Sequence, residues 1–374
     1  MRDVHVVHVI ESAAGGSLNY LVDLCSVVRS LGYRQSVIYS RRPDTPSDMS
    51  ELFPRDVHLK ELDMGGATAF SAVLRLRTLL INLDPSLIHL HSSIAGGVGR
   101  LASLGLDVPV VYTPHCYRFT RRDVGVTGRV VAWWLEWFLV RLRATVRVVG
   151  SQHEYCESMA LSKTSPVALI RNPVQLGSIC ETGECRMADH TCITVGRLTK
   201  VKAPDRFLQI ASSLAKLHPD VEFIWVGDGE ARHEFLRQAD SLGVRVKLTG
   251  WLPRKEVLRL VERCCVYLQT SLSEGLPLSV LEAMGVGVPV ILSDIDAHRE
   301  LVTHGVDGFI AKTDEDFVTF AKILLSDPSL RVAVGEKARQ KIEEVYSLDR
   351  FKESIRAVYN QILHAGSRES EYMK

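Results

Sequence analysis

Short apolar runs bounded by turn residues alternate with segments of helical period along the whole chain. This alternation is typical of a parallel β-sheet that is covered by helices on both faces, so the sequence predicts an α/β fold. The strands predicted in the first half are Val4–Ile10, Gln35–Tyr39, Leu87–Leu90, Val108–Tyr112 and Val146–Val149.

A second series of the same kind begins near Cys192. Before it, the turn after Leu169 leads into mixed polar residues that run to about His190, and we place the linker between two domains there. Two doubly wound lobes leave a cleft between the carboxyl ends of their sheets, where such sheets bind ligands. The strands predicted in the second half are Cys192–Val195, Val221–Val226, Arg245–Leu248, Val266–Leu268 and Val288–Leu292, and the tail from Asp327 is predicted to be helical.

The composition disfavours several classes of protein. The 374 residues carry 45 basic and 44 acidic side chains, and a net charge of +1 gives no field that would gather nucleic acid. None of the eight cysteines has the Cys-x-x-Cys spacing of a zinc or redox site, so we expect reduced thiols. The sequence shows neither a signal peptide nor an uncharged window long enough to span a membrane, which predicts a cytoplasmic protein.

The loop after the first predicted strand contains the glycine pair Gly15-Gly16 ahead of a predicted helix. Glycine lets the backbone approach a ligand closely, and the N–H groups of a helix N-terminus favour an anion such as phosphate. The spacing is not Gly-x-Gly-x-x-Gly, and Arg41 and Arg42 stand where a dinucleotide site needs an acidic residue, which disfavours a dehydrogenase. A tight turn without a ligand is the alternative interpretation of the pair.

A basic loop follows the first predicted strand of the second half and contains Arg197 and Lys202. The helix after it is predicted to begin near Ala203-Pro204, since proline suits the first helical turn. Arginine can grip two phosphate oxygens and lysine adds a mobile charge, so together they could neutralise a departing diphosphate. A solvated loop without a function is the alternative.

Two carboxylates, Glu274 and Glu282, flank a short predicted helix that follows a Gly-Leu-Pro turn. Two turns of helix separate them, so they could hydrogen-bond different hydroxyl groups of one elongated ligand. The N–H groups at the start of that helix would face phosphate groups.

Several motifs of the second half resemble those of the family 4 retaining glycosyltransferases, which have the GT-B fold of two Rossmann-like domains facing across a cleft. The motifs are Gly196-Arg197-Leu198 followed by Lys202, Val226-Gly227-Asp228-Gly229-Glu230, Gly250-Trp251-Leu252-Pro253, and Glu274 with Glu282. Gly15-Gly16 and Thr113-Pro114-His115 in the first half are also similar to family motifs, so the resemblance spans nearly the whole chain.

The resemblance implies a role for each matching residue. Arg197 and Lys202 would hold the donor diphosphate, Glu282 the ribose, and Glu274 the transferred sugar. His115 would lie near the primary hydroxyl of that sugar, and with Arg197, Lys202 and Glu274 it completes the expected catalytic set. The further donor-binding residues implied are Gly16 at a phosphate, Leu252 near the base, Gly196, Gly275, Leu276 and Leu278.

The resemblance also implies a reaction and a domain organisation. Residues 1–175 would bind the acceptor, residues 176–345 would bind the nucleotide sugar, and the C-terminal helix at 346–374 would pack back toward the first domain. The expected reaction moves a hexose, with retention of configuration, from a UDP-sugar rather than a GDP-sugar to a lipid-linked saccharide acceptor. Such a reaction belongs to the synthesis of cell-envelope polysaccharide or glycolipid. Neither a metal nor another cofactor is expected.

One loop departs from the family pattern, and two alternative functions stay open. Residues 293–300 stand where the family usually has a Gly-Gly pair, and Asp294-Ile295-Asp296 within them suggests a metal site only weakly, because Arg197 and Lys202 already supply positive charge. A non-catalytic binding protein of the same fold and a sugar-nucleotide epimerase of related two-lobed architecture are the alternatives. Analysis of the reaction products distinguishes a glycosyltransferase from an epimerase.

Between Arg118 and Arg147 the chain holds seven arginines against two acidic residues, with three tryptophans among them. Cations beside aromatic rings suit the interface of an anionic membrane, and the protein would then work at the inner face of that membrane. The alternative is that the tryptophans are core side chains of a buried helix whose arginines face water. The predicted acceptor or membrane surface comprises Arg118, Arg121, Arg122, Trp133 and Trp137.

Overall fold

The computed structural model describes residues 4–65, 69–175 and 190–371, which form two compact units. Each unit has its own parallel sheet and its own hydrophobic core. The first unit comprises Met1–Thr120, Val124–Pro173 and Leu348–Lys374, and the second comprises Arg121–Asp123 and Val174–Ser347.

The sheet of the first unit has seven strands within the described residues: β1 (His5–Ile10), β2 (Arg34–Tyr39), β3 (His58–Glu61), β4 (Leu87–His91), β5 (Val110–Thr113), β6 (Val146–Val149) and β7 (Val167–Leu169). They are parallel and lie in the order β3-β2-β1-β4-β5-β6-β7. Every residue of β1 is buried, as expected for a central strand covered by helices on both faces. The helices that accompany this sheet are α1 (Gly15–Ser30), α2 (Met49–Leu52), α3 (Ala69–Leu83), α4 (Ser93–Ala102), α5 (Val126–Leu142) and α6 (Gln152–Leu161).

The sheet of the second unit has six parallel strands within the described residues: β8 (Thr191–Val195), β9 (Glu222–Val226), β10 (Val246–Leu248), β11 (Val266–Gln269), β12 (Val290–Ser293) and β13 (Phe309–Ala311). Their order is β10-β9-β8-β11-β12-β13. The strand order reverses at β8, so this unit is also doubly wound. Its helices are α7 (Pro204–Leu217), α8 (Arg232–Ser241), α9 (Arg254–Glu262), α10 (Leu278–Gly285), α11 (Asp296–Leu301), α12 (Asp314–Ser326) and α13 (Pro328–Val345).

The last helix, α14 (Leu348–Glu371), belongs to the first unit although it follows the second in sequence. Its Asn360 Oδ1 accepts a hydrogen bond from the Tyr33 hydroxyl at 3.0 Å. The hydroxyl of Tyr359 lies 2.7 Å from Nδ1 of His89 on β4. The chain therefore contributes its C-terminal end to the core of the first unit.

The α/β fold class predicted from the sequence is confirmed, and most predicted strands are observed with ends that differ by one or two residues. Two strands were not predicted, β3 and β13, and for β7 only its end at the turn after Leu169 was indicated. All three lie at sheet edges. The residues of β3 are exposed or half-buried, and β7 and β13 have only three residues each, too few for a clear apolar run. Most of the predicted linker, residues 176–189, lies outside the described residues.

Arg100 and Glu136 form an ion pair inside the core of the first unit. Arg100 on α4 has no exposed surface, and its Nη2 lies 2.7 Å from Oε2 of Glu136 on α5. The Tyr112 hydroxyl donates to the other carboxylate oxygen at 3.0 Å, and the guanidinium lies 4.4 Å from the centroid of the Tyr112 ring. Because charges out of water depend on such partners, removing one member of this cluster is costly.

Candidate active site

The basic loop lies directly after β8, at the carboxyl end of a central strand, where parallel sheets bind ligands. The N–H of Leu198 donates to the carbonyl of Asp228 at 2.9 Å, which holds the loop against the turn after β9. A Cβ on Gly227 would clash with the carbonyl oxygen of Gly196, and one on Gly229 would clash with that of Leu198. Glycine at both positions therefore lets the two loops pack closely.

The backbone around Lys202 is held by a neighbouring loop. Lys202 ends a short 3₁₀ turn in the same loop as the half-buried Arg197. Thr270 Oγ1 donates to the carbonyl oxygens of Lys202 and Ala203 at 2.9 and 3.2 Å. Ala203 has a left-handed φ of 49°, which turns the chain into α7. The side chain of Lys202 therefore projects from a firmly tied backbone.

Lys202 and Glu274, which the sequence predicted separately, form an ion pair. Nζ of Lys202 lies 2.5 Å from Oε1 of Glu274, and the same oxygen accepts from Ser271 Oγ at 2.6 Å and from Gln269 Nε2 at 3.2 Å. Burial alone would raise the pKa of Glu274, but the charge of Lys202 and the hydrogen bonds from Lys202 and Ser271 outweigh it and lower the pKa below its usual value. Glu274 is therefore an anion held in one orientation.

Glu282 pairs with a residue that sequence reasoning missed. Glu282 lies on α10 and is 5% exposed, and its Oε1 is 2.6 Å from Nε of Arg254. Arg254 is the first residue of α9, immediately after the Gly250–Pro253 motif. This position beside a family motif was the only feature of the sequence that could have pointed to Arg254. The pair fixes the carboxylate that the family resemblance assigns to the ribose.

The other predicted donor residues of the second unit lie in the turns beside these pairs. Gly275 and Leu276 precede α10, and Leu278 is its first residue. The side chains of Leu276 and Leu278 are buried in the protein, so a ligand could meet only their backbone. Gly196 donates its N–H to Val226 O at 2.9 Å, and Leu252 is half-buried in the turn before α9.

The glycine pair of the first unit lies at the N-terminus of α1. Gly15 begins the helix with a left-handed φ of 56°, and Gly16 follows it on the exposed surface. No side chain of the described residues caps this end of the helix. Its N–H groups are therefore available to an anion, and the phosphate role that the resemblance implies for Gly16 stays a prediction.

His115 follows β5 with a φ of 60°, a left-handed conformation that costs energy for a residue other than glycine. Its Nε2 lies 3.3 Å from Nδ1 of His91, and the ring of Tyr20 meets it edge-on with centroids 4.8 Å apart. Burial lowers the pKa of His115 to about 4, so the ring is neutral near pH 7. His91, and His8 behind it, were not singled out from the sequence, because they lie in the apolar strands β4 and β1.

Helix α5 divides the aromatic residues of the predicted surface between two environments. Trp133 and Trp137 are half-buried against the core of the first unit, so they are not the exposed rings that the prediction placed there. The exposed rings are Trp134 and Phe138, at 56% and 54%. The exposed aliphatic residues of the same helix are Val126, Val130, Val131, Leu135 and Leu142. The described part of the chain holds no helix that is both long enough and apolar enough to cross a membrane.

Some arginines of this segment are exposed, and others are buried or half-buried inside the first unit. Arg118 and Arg122 are exposed, and Arg121 is half-buried in an ion pair with a neighbouring carboxylate at 2.6 Å. Arg143 and Arg147 instead donate to backbone carbonyls inside the first unit, and Arg147 is only 1% exposed. The charge counted along the sequence therefore overstates the positive charge at the surface.

Both carboxylates of the Asp294-Ile295-Asp296 segment pair with one arginine. Nε of Arg299 lies 2.5 Å from Oδ1 of Asp294, and its Nη1 lies 3.1 Å from Oδ1 of Asp296. The hydrogen bond from Arg299 lowers the pKa of Asp294. One guanidinium thus occupies a carboxylate oxygen of each residue.

Two family models match the chain. A model described as Glycosyltransferase Family 4 matches residues 14–177, and one described as Glycosyl transferases group 1 matches residues 185–341. The two matched segments contain every donor-site residue predicted from the sequence.

Named relatives and solved structures agree with these matches. The chain is 28% identical over 310 residues to a UDP-Gal:alpha-D-GlcNAc-diphosphoundecaprenol alpha-1,3-galactosyltransferase of Escherichia coli, covering 77% of this chain and 78% of that one. Sucrose-phosphate synthase from Thermosynechococcus elongatus superposes with a TM-score of 0.83 at 18% identity, covering 96% of this chain and 100% of that one. Anabaena HepE in complex with UDP and glucose gives a TM-score of 0.82, with the same identity and coverage. At this identity the two structures bear on the fold alone.

Proposed function

The chain belongs to the family 4 glycosyltransferases of GT-B fold, and we propose that it transfers a hexose from a UDP-sugar to a lipid-linked saccharide with retention of configuration. The transfer breaks the bond between the anomeric carbon and the diphosphate and forms a bond from that carbon to an acceptor hydroxyl, whose proton leaves with UDP. The observation that carries the proposal is the ion pair between Glu274 and Lys202, and Lys202 lies in the same loop as Arg197.

Arg197 and Lys202 supply the positive charge for the departing diphosphate. A guanidinium can bind two phosphate oxygens and an ammonium adds a point charge, so the protein itself can stabilise the leaving group without a metal ion. Because Nζ of Lys202 already lies 2.5 Å from Glu274, it can bridge that carboxylate and a phosphate oxygen. The diphosphate and the sugar would then be positioned by one connected set of side chains.

Glu274 is suited to holding the sugar rather than attacking it. Its Oε1 receives hydrogen bonds from three side chains, which reduces the reactivity of the carboxylate as a nucleophile. Its second oxygen can still accept from a sugar hydroxyl. We therefore infer that the departing phosphate takes the acceptor proton on the face that it leaves, so that the configuration is retained without a covalent intermediate.

The relative from Escherichia coli supports the choice of donor and acceptor. Its name gives UDP-galactose as the donor and a diphosphoundecaprenol-linked sugar as the acceptor. We propose that this chain likewise uses a hexose linked to uridine diphosphate as its donor and a lipid-linked saccharide as its acceptor. It would then act in the synthesis of cell-envelope polysaccharide or glycolipid.

A lipid-linked acceptor favours contact with a membrane, and the exposed face of α5 could provide it. This face presents Trp134 and Phe138 together with five aliphatic side chains, a composition that suits the interface between headgroups and acyl chains. Arg118, exposed in a short 3₁₀ turn that packs against α5, adds positive charge for anionic lipid.

Flotation with phosphatidylglycerol vesicles tests this contact. We expect the unaltered protein to float and the double variant Trp134→Gln/Phe138→Gln to bind more than tenfold more weakly, because each apolar side chain contributes roughly 1.5–3 kcal/mol when buried in lipid. Phe70 and Leu74 on α3 are exposed at 82% and 60%, so Phe70→Gln/Leu74→Gln is the matched control and should bind normally. Equal losses in both variants, or no flotation of the unaltered protein, would contradict a membrane face on α5.

Nucleotide binding tests the donor site. We expect UDP, in EDTA, to raise the thermal midpoint more than GDP, ADP or TDP, since a ligand at a hundred times its Kd stabilises by about 2.7 kcal/mol. Arg197→Ala should lose this shift, whereas Lys200→Ala, which removes an exposed charge of the same loop, should keep it. A shift that requires Mg²⁺ would contradict metal independence, and no shift with any nucleotide would contradict the donor site. Binding without transfer to any acceptor would favour the non-catalytic alternative.

A further inference from the structure

The loop after β12, where the sequence departs from the family pattern, reaches the Lys202–Glu274 pair through buried side chains. Ser293 ends β12 and is 1% exposed, and His298 lies in α11 without exposed surface. Ser293 Oγ donates to the backbone carbonyl of Ser271 at 2.6 Å. Ser271 Oγ in turn donates to Oε1 of Glu274 at 2.6 Å. Ser271 therefore connects this loop to the candidate site, in a hydrogen-bonded path from Ser293 to Glu274.

The two hydroxyl protons along this path can point in only one direction. The carbonyl oxygen of Ser271 carries no proton, and neither does the ionised carboxylate of Glu274, so both can only accept. Each serine hydroxyl has one proton, which is committed to the acceptor on the side of Glu274. The direction of the path therefore follows from the distances and from the chemistry of its acceptors.

His298 fixes the start of the path. Its Nδ1 lies 2.8 Å from the carbonyl oxygen of Ser293 and 3.3 Å from the hydroxyl oxygen of the same residue. Because the carbonyl can only accept, Nδ1 carries a proton. Burial lowers the pKa of His298 to about 4, so the ring is neutral near pH 7 and Nε2 carries none. A donor on this side of the Ser293 hydroxyl leaves the hydroxyl proton to point toward Ser271.

Packing alone does not explain a histidine at this position. Nε2 of His298 is buried and has no hydrogen-bond partner within the described residues. A buried polar atom without a partner costs stability, so an apolar side chain of similar size would suit the position better if it served only the core. The hydrogen bonds at Nδ1 distinguish histidine from such a side chain.

Ser271 is held from a second side by Gln269, the last residue of β11. Gln269 is 1% exposed, and its Nε2 donates to Ser271 Oγ at 2.7 Å and to Oε1 of Glu274 at 3.2 Å. Ser293 holds the backbone of Ser271, while Gln269 holds its side chain. Ser271 is therefore fixed by the ends of two neighbouring strands, β11 and β12.

We propose that Ser293 and His298 are positioning residues, which hold Ser271 and through it orient the carboxylate of Glu274. The proposal rests on the proposed function, because that function assigns the transferred sugar to Glu274. With Oε1 fixed by its three donors, the second oxygen of the carboxylate keeps one direction toward a sugar hydroxyl. The loop at residues 293–300 thus acts on the sugar part of the donor and not on its nucleotide part.

Calorimetric titration of the full chain separates these two parts of the donor. The ligands are UDP and whichever of UDP-glucose and UDP-galactose binds more tightly. We expect Ser293→Ala and His298→Gln to weaken binding of this UDP-hexose about tenfold, the effect of losing one hydrogen bond of good geometry. Binding of UDP should change less than about twofold, since groups that share no partner act nearly independently. An equal loss of affinity for both ligands would show a purely structural role and overturn the proposal.

A matched pair of variants tests the role of Nδ1. Asparagine can place its amide nitrogen near the position of Nδ1, whereas the amide of glutamine lies one bond farther out, near Nε2. His298→Asn should therefore keep the affinity for the UDP-hexose that His298→Gln loses. Ser212→Ala is the control for a buried hydroxyl and should bind normally, because Ser212 in α7 bonds to the carbonyl of Leu242 outside this path. An asparagine variant as weak as the glutamine variant, or an equal loss in Ser212→Ala, would contradict the proposal.

Thermal unfolding without ligand provides a readout that does not depend on the proposed function. The losses in midpoint of Ser293→Ala and His298→Gln should not add in the double variant, because groups in contact within one hydrogen-bonded path are coupled. Additive losses would show that the path does not exist. Coupled losses in a protein that binds neither UDP nor a UDP-hexose would reject the proposed function and still support the hydrogen-bonded path.

Discussion

Replacing Lys202 by alanine is expected to lower kcat about 10²- to 10³-fold, the loss seen when one group that stabilises a developing negative charge is removed. The same change leaves Glu274 buried without its main cationic partner, and breaking such a pair costs about 3–5 kcal/mol of stability. Lys202→Ala should therefore lower both kcat in steady-state kinetics and the midpoint of thermal unfolding. The loss of catalysis must be separated from the loss of stability.

The double variant Lys202→Ala/Glu274→Gln separates them. Glutamine keeps an oxygen for the hydrogen bond from Ser271 and removes the buried charge, so most of the lost stability should return, while turnover should stay well below that of Glu274→Gln alone because Lys202 is still missing. Lys200→Ala is the matched control, because Lys200 lies exposed in the same turn. If the double variant regains turnover along with stability, or if Lys200→Ala is as inactive as Lys202→Ala, the catalytic role assigned to Lys202 is wrong.

Glu136→Ala is expected to destabilise the first unit by about 3–5 kcal/mol, because it leaves the guanidinium of Arg100 in the core without a counter-charge. The Tyr112 hydroxyl loses its acceptor in the same step. For a domain of this size the midpoint of unfolding should fall on the order of 10 °C. Scanning calorimetry of the full chain measures it.

Two further variants show whether burial is the cause. Glu343→Ala removes the carboxylate of an exposed pair on α13, 2.8 Å from Arg339, and should change stability by less than about 1 kcal/mol. Arg100→Met/Glu136→Leu replaces both buried charges by apolar groups and should recover much of the loss. A Glu136→Ala midpoint no lower than that of Glu343→Ala would show that the buried pair contributes little.

Sequence patterns predicted the fold class because buried strands and amphipathic helices leave a periodic trace, as for β6, which was predicted with its observed ends. They also singled out Arg197, Lys202 and Glu274 as candidate site residues, since each residue type suits phosphate or sugar binding, and their roles stay predictions. The pairing of Lys202 with Glu274 could not be predicted, because 72 positions separate them and only the packing of two loops brings them together. The same holds for Arg254 beside Glu282, 28 positions away.

Burial was the harder property to predict. Trp133 and Trp137 are four positions apart and share one face of α5, while Trp134 shares another face with Phe138, and either face could have been the inner one. The tertiary structure decides by packing Trp133 and Trp137 on the core. Arg147 is likewise polar in sequence yet buried, and backbone carbonyls inside the fold accept hydrogen bonds from its Nη2. His91, which contacts His115, lies in the apolar strand β4, and the sequence pattern did not predict that contact.

The proposed reaction is tested most directly by proton NMR of its product. The full chain would be incubated in EDTA with a UDP-hexose of known anomeric configuration and a short-chain form of the proposed lipid-linked acceptor. We expect release of UDP together with a new glycosidic linkage whose anomeric signal has the configuration of the donor. A product of inverted configuration, or transfer that appears only when Mg²⁺ replaces EDTA, would contradict the role given to Arg197, Lys202 and Glu274.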